Sequence, residues 1–331
     1  MVKMGRIMFG ISGVAIAVTV VGCVHRQDTE GRACDSCACK PAYVAIEDTT
    51  GQRVWKMPFH LGLAGYTMHR KSIDETLAIM RAVDLHYLCV KDFHLKYDAS
   101  DAEIVAFKAK CASYGVTPYA LGPLYTKSNA EVRRYFEFAK RFGVKVVVGV
   151  PCDNAPGPTG ENDEEVASPE QLAYIDGLVR EFDIRYAIHN HGPQVPRMFP
   201  DVESGYALVK DLDARIGFCL DVGWEYACGR DVAETVRKYG ARIYDVHLKN
   251  FAVDLPGGRI LSKEVPHSFT AVPMPRGKID YDKVFTALSE VGYEGACSFE
   301  YERDFENNFG GLAESVGYTR GICDAIHVSQ R

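Results

Sequence analysis

Four stretches decide the fold: RYAIHNHG at 185–192, IGFCLDVG at 216–223, IYDVHLKN at 243–250 and ACSFEYE at 296–302. Each opens on a short apolar run without strict alternation and ends in imidazole, carboxylate or amide side chains. Alternation disappears where a strand is covered on both faces, as in a parallel sheet. The runs themselves are Arg185–Ile188, Ile216–Leu220, Ile243–Leu248 and Ala296–Phe299. Upstream, four more of the same kind recur: Phe59–Ala64, Tyr87–Val90, Thr117–Leu121 and Lys145–Val150.

Helical patterns lie between the runs. Ser72 with Glu75, Ser100 with Glu103, Ser128 with Glu131 and Ser168 with Gln171 fit a capping box, in which hydroxyl and later side chain satisfy free backbone N–H groups reciprocally. Pro169 stands at a first helical position, where its missing N–H costs nothing. Gly115, Gly143, Gly240 and Gly292 follow apolar-periodic stretches and read as left-handed helix stops.

Eight strand–helix units predict an α/β chain folded as a single (β/α)8 TIM barrel. An open doubly wound sheet is the alternative, but no glycine-rich phosphate turn follows an early strand; Gly62-Leu63-Ala64-Gly65 lacks that spacing. The barrel is expected over 57–331. Composition agrees with a globular domain: of 331 residues 47% are hydrophobic and 25% charged, which argues against wholesale disorder and against a polytopic membrane protein. The net charge of -6, with no basic stripe, argues against nucleic acid as a partner.

Residues 1–22 read as an export signal. Lys3 and Arg6 precede the apolar run Ile7–Val21, which is short and broken by glycine. Val20-Val21-Gly22-Cys23 resembles a bacterial lipobox, which implies cleavage before Cys23, a lipid on its sulfur and a periplasmic or outer-membrane location reached through that anchor alone. Mass spectrometry showing an intact N-terminus would overturn this. Residues 23–56 then form a tether. Its Cys34, Cys37 and Cys39 lack a second ligand pair nearby, so a local disulfide is preferred over zinc. Cys89, Cys219 and Cys297 lie within strand runs and read as buried thiols.

In a barrel, reactive groups belong at the C-terminal ends of the strands. Strands 5 to 8 end in His189, Asp221, His247 and Glu300, with His247 inside the run IYDVHLKN. One ligand from each makes a mixed nitrogen and oxygen set, suited to Mn, Co, Fe, Zn or Ni rather than Ca. Such an ion polarises a carbonyl and acidifies the neighbouring C–H. His191, Glu302, Lys249 and His94 are the candidate acid–base or charge-stabilising groups.

From about 57 to 329 the chain resembles the sugar phosphate isomerase/epimerase group, with its xylose isomerase-like barrel. The resemblance rests on KDFHL at 91–95, HNHGP at 189–193, GFCLDVG at 217–223, VHLKN at 246–250, GKID at 277–280 and SFEYE at 298–302. It implies one divalent metal held at His189, Asp221, His247 and Glu300, and a small sugar or keto-sugar as substrate. Two departures stand out. His189 occupies the place where many relatives carry Glu, which removes one of the two acid–base carboxylates of epimerases. Trp224 stands where relatives often place His; it offers a stacking face, or simple packing. Lys91, Trp224 and Asn190 are the expected substrate-binding residues.

The expected activity is isomerisation or epimerisation by proton abstraction beside a carbonyl. Two alternatives remain: the same chemistry next to a leaving group, making the protein a 3-keto-glycoside lyase or hydratase, and a non-catalytic sugar-binding barrel. A nuclease for abasic sites is disfavoured by the acidic charge and the small ligand set.

Overall fold

The computed structural model describes residues 7–11, 14–18, 46–47, 53–54, 59–152, 167–195, 199–263 and 265–329. The chain divides into two compact units, Met1–Pro58 with Asp324–Arg331, and Phe59–Cys323. In the first, Ile7–Ile11 pairs antiparallel with Val14–Val18, and Ile46–Glu47 with Arg53–Val54. Cys23, Cys34, Cys37 and Cys39 lie outside the described residues. Among the described residues no helix is long and apolar enough to cross a membrane.

The second unit is a closed parallel barrel of eight strands. They are β1 His60–Ala64, β2 Tyr87–Val90, β3 Thr117–Thr126, β4 Val146–Pro151, β5 Arg185–His189, β6 Ile216–Asp221, β7 Ile243–Leu248 and β8 Ala296–Phe299. Neighbours in sequence are neighbours in space, and β8 closes on β1 with Ala296 opposite His60. Helices α1 Ile73–Ala82, α2 Asp101–Ser113, α3 Asn129–Phe142, α4 Pro169–Phe182, α5 Val202–Val209, α6 Val222–Ala227, α7 Val232–Tyr239 and α8 Tyr281–Glu290 follow the strands, and α9 Phe309–Ser329 ends the series.

Seven strands fall within a residue or so of the sequence reading. The exception is β3, which was expected to stop at Leu121. Gly122-Pro123 reads as a strand end, yet the strand absorbs the pair in a register irregularity against β4 and continues to Thr126. A separate antiparallel sheet after β7, made of Asn250–Val253, Arg259–Ile260 and Ser268–Val272, was not foreseen. Its first strand follows β7 after a single residue, so the sequence reads as one continuous run.

The helix starts show how far local signals reach. Ser72 and Ser100 complete their capping boxes. Ser128 and Ser168 cap with their hydroxyls alone. The Glu131 carboxylate accepts from Lys127 N at 2.8 Å instead, and the Gln171 amide donates to the Thr126 carbonyl at 2.9 Å. Gly115, Gly143 and Gly292 take the expected positive φ. Gly240 corrects the reading: it is right-handed, with φ -51°, because the chain runs straight on into a 3-10 turn at Gly240–Arg242.

Inside the barrel, Cys89, Ala120, Val148, Ala187 and Cys219 form a fully buried cluster. Small side chains suit the narrow axis of a closed sheet. The thiols of Cys89, Cys219 and Cys297 are free and buried, as expected. Gly217 on β6 leaves no room for a side chain: an added Cβ would meet the Arg242 carbonyl and the Tyr244 ring. Gly217→Ala should therefore destabilise the barrel by about 1–3 kcal/mol, from overpacking against backbone that cannot swing away. A denaturation midpoint equal to wild type would show that β6 and β7 can separate there.

Candidate metal centre at the barrel mouth

His189 ends β5, Asp221 ends β6, His247 lies near the end of β7, and Glu300 follows β8 directly. All four are buried, and one ligand atom from each lies within 4.8 Å of the others. His189 Nε2 is 3.1 Å from His247 Nδ1, 3.5 Å from Asp221 Oδ2 and 3.5 Å from Glu300 Oε2. His247 Nδ1 is 3.2 Å from Glu300 Oε2. An ion with bonds of about 2.1 Å spaces its ligand atoms about 3.0 Å apart in an octahedron and about 3.4 Å in a tetrahedron. The observed edges match. Asp221 Oδ2 and Glu300 Oε2 are buried without a hydrogen bond of good geometry, met by the Lys249 ammonium on one side and turned toward the imidazoles on the other. The donor set therefore fits a first-row divalent metal.

Neighbouring groups fix the candidate ligands. Asp221 caps α6: its Oδ1 accepts from Trp224 N at 2.9 Å, which turns Oδ2 toward the cluster. Asn190 accepts from Asp221 N at 2.7 Å and donates to Asp221 O at 3.2 Å, locking the ends of β5 and β6 together. Its Nδ2 also faces the buried Glu225 carboxylate at 3.4 Å. The Tyr281 hydroxyl donates to Lys249 O at 2.8 Å and accepts from Lys249 N at 3.1 Å. Thr67, just after β1, donates to Phe299 O and accepts from Tyr301 N, both at 3.0 Å, and so pins the backbone on either side of Glu300.

Lys249 is the counter-charge. Its Nζ lies 2.9 Å from Asp221 Oδ2, 3.1 Å from Glu300 Oε2 and 2.8 Å from Glu302 Oε1. Burial works against the ammonium, yet these three carboxylates hold it well above the usual lysine range. Burial would likewise raise Glu300, but Lys249 and the two imidazoles keep it ionised, well below the usual carboxylate range. Asp221 is pushed up to about 7, chiefly by burial. Burial pushes His189 well down, so it is neutral and able to ligate.

The other expected residues are distributed unevenly. Glu302 stands at the mouth, half-buried, one oxygen on Lys249. His191 is also at the mouth. Its Nδ1 lies 2.9 Å from the His189 carbonyl, which can only accept, so the proton is on Nδ1 and Nε2 accepts from the Tyr125 hydroxyl at 2.8 Å. Burial lowers His191 to about 4, so it is neutral. Lys91 donates to Pro123 O at 2.6 Å and lies 6.0 Å over the Tyr66 ring. Trp224 is half-buried: Lys249 Nζ lies 4.6 Å from its ring centre, Phe251 packs at 5.0 Å, and a Cβ on Gly192 would come within 2.9 Å of it. Two residues sit differently from expectation. Asn190, expected at the substrate, is fully buried in the β5–β6 clamp because strand alternation turns it away from His189 and His191. His94, expected as an acid–base group, is buried against Thr76 Oγ1 at 3.2 Å and Phe93, not joined to the cluster.

Tyr125 was missed in the sequence. It lies past Leu121, where the sequence run ends, and its 47% exposure at the mouth leaves no trace in the residue pattern.

Residues 79–322 match the family model described as xylose isomerase-like TIM barrel. The chain belongs to the xylose isomerase-like TIM barrel family. This family includes sugar isomerases and epimerases. No curated protein sequence matches the chain. Among solved structures, the D-psicose 3-epimerase of Clostridium cellulolyticum H10 with D-tagatose superposes with a TM-score of 0.61 at 13% identity, covering 80% of this chain and 99% of that one. A xylose isomerase-like TIM barrel protein of Mycobacterium smegmatis in complex with magnesium gives 0.60 at 17% identity, covering 81% and 98%. An IOLI protein with a bound zinc atom gives 0.57 at 20% identity, covering 80% and 96%. At these identities the likeness concerns the fold.

Proposed function

We propose that this xylose isomerase-like barrel is a divalent-metal-dependent enzyme that moves a proton on the carbon beside the carbonyl of a small sugar or keto-sugar, as an isomerase or epimerase does. The observation that carries the reading is the buried cluster of two imidazoles and two carboxylates from four successive strands, all within 4.8 Å. A bound ion supplies Lewis acidity to a substrate oxygen. The chain's own groups do the rest. Glu302 is a carboxylate at the mouth outside the ligand set. Lys249 steadies one of its oxygens at 2.8 Å, and the other is free to take a proton from carbon. The Tyr125–His191 pair stands on the β3–β5 side and Glu302 on the β8 side. A proton removed by one group can therefore be returned from the other. The Lys249 ammonium faces the same space and stabilises negative charge developing on the substrate.

One feature favours a second reading. The ligand on β5 is His189 rather than a carboxylate, so Glu302 has no carboxylate partner across the mouth. A single carboxylate base suits elimination from a 3-keto-glycoside, with Glu302 taking the proton beside the carbonyl and the Tyr125 hydroxyl available to protonate the departing alcohol oxygen.

Both readings are tested on the full-length protein, loaded with each of Mn, Co and Zn, incubated in deuterated water with a panel of ketohexoses and 3-keto-glycosides. Metal-dependent deuterium uptake beside the carbonyl is expected, with an isomeric sugar or a released alcohol telling the readings apart. Full metal loading with no exchange on any member would leave a sugar-binding barrel instead.

A further inference from the structure

We propose that Asp245 is a positioning residue for His247, held by a buried Ser298–Tyr119–Asp245 chain one layer below the metal cluster; this rests on the reading of His247 as a metal ligand. Asp245 and His247 alternate along β7, so both face the barrel interior. Asp245 is fully buried. The described residues place no Lys or Arg within ion-pair distance of it, so its charge is costly where it stands and an apolar residue would pack there at no such cost.

The geometry shows what the charge faces. The Tyr119 hydroxyl lies 2.9 and 3.0 Å from the two Asp245 oxygens and 2.7 Å from Ser298 Oγ. An ionised carboxylate only accepts, so Tyr119 donates to Asp245 and Ser298 donates to Tyr119. Val246 N adds a bond to Oδ1 at 2.9 Å. Strands β3, β7 and β8 thus fix the carboxylate from three sides. Its Oδ2 then lies 3.7 Å from His247 Nε2. That is longer than a hydrogen bond. Yet Nε2 is fully buried and has no hydrogen-bond partner among the described residues.

His247 presents Nδ1 to the cluster. A neutral imidazole ligating through Nδ1 carries its proton on Nε2, and that buried N–H needs an acceptor. Asp245 is the carboxylate within reach, and a small rotation of the ring closes the gap. A carboxylate behind a ligating imidazole fixes its tautomer and raises its basicity. Asp245 acts on the metal only through His247 and touches no substrate.

The test uses the full-length protein, with Asp245→Asn and Tyr119→Phe beside wild type. Cobalt affinity is read by chelator competition, the His247 ring N–H by its exchangeable, cobalt-shifted proton resonance, and folding by the melting temperature of the metal-free protein. Asp245→Asn should weaken cobalt binding by about 10–100-fold. The N–H resonance should exchange faster or vanish, while metal-free melting stays at or above wild type. Tyr119→Phe, which loosens Asp245 without removing it, should move affinity and exchange in the same direction by less. Wild-type affinity with an unchanged N–H resonance in Asp245→Asn overturns the proposal. If that variant does not fold, the same pair of results in Tyr119→Phe overturns it. Wild type that binds no cobalt, or Glu300→Gln that binds it normally, shows that the ligand assignment itself has failed, and this proposal falls with it.

Discussion

Glu300→Gln should bind divalent metal more than about 100-fold more weakly than wild type, since loss of a partner merely behind a ligand already costs about 10–100-fold. Glu300 faces both imidazoles and Lys249, and its Oε2 is the shared corner of the contacts at 3.1, 3.2 and 3.5 Å. An amide keeps the shape and removes the charge. Lys249 retains Asp221 and Glu302, so the fold should survive while the metal is lost. Elemental analysis of the purified variant against wild type, with turnover measured on the same samples, reads both effects. His247→Ala should behave alike. Normal metal content in either variant would mean that the ion, if one binds, sits elsewhere.

The second large effect is expected from Glu302→Gln. Here metal content should stay at the wild-type level, because Glu302 contributes no atom to the cluster. Turnover should fall by about 10²–10⁴-fold, the usual worth of a positioned base, and deuterium exchange beside the substrate carbonyl should fall with it. Substrate affinity should change little, since Gln still accepts from Lys249. His191→Asn should be milder, because the Nε2 lone pair is already taken by the Tyr125 hydroxyl at 2.8 Å. Wild-type exchange in Glu302→Gln would move the base to the Tyr125–His191 side.

The barrel was legible because its strands are covered on both faces, so each leaves a compact apolar run whatever its neighbours do. The four clustered residues were legible for a related reason: a strand end is where an inward-facing polar residue stops being a packing fault and becomes a candidate site. The same logic explains the misses. Tyr119, Asp245 and Ser298 lie within or at the start of strand runs, where polar residues look like noise unless the three strands are known to meet. Asn190 sits between two site imidazoles in sequence, but its direction depends on strand parity rather than on that proximity. Tyr125 lies on a strand extension that Gly122-Pro123 conceals. The sheet from Asn250 to Val272 begins one residue after β7, and no composition shift separates them.

The order of the ligands along the chain has a consequence for biogenesis. All four come from β5 to β8, and the sheet closes only when β8 seats against β1. As the polypeptide emerges from the ribosome, its first half carries none of the four candidate ligands. The open edges of that half-barrel must persist without help from that cluster, as surfaces prone to pairing with other chains. A metal held by this cluster would therefore reward only the last docking event, when Glu300 arrives. On the proposed reading, loading would be a signature of completed synthesis: a chain cut short before Ala296 would still contain three of the four candidate ligands, yet could not close its seam.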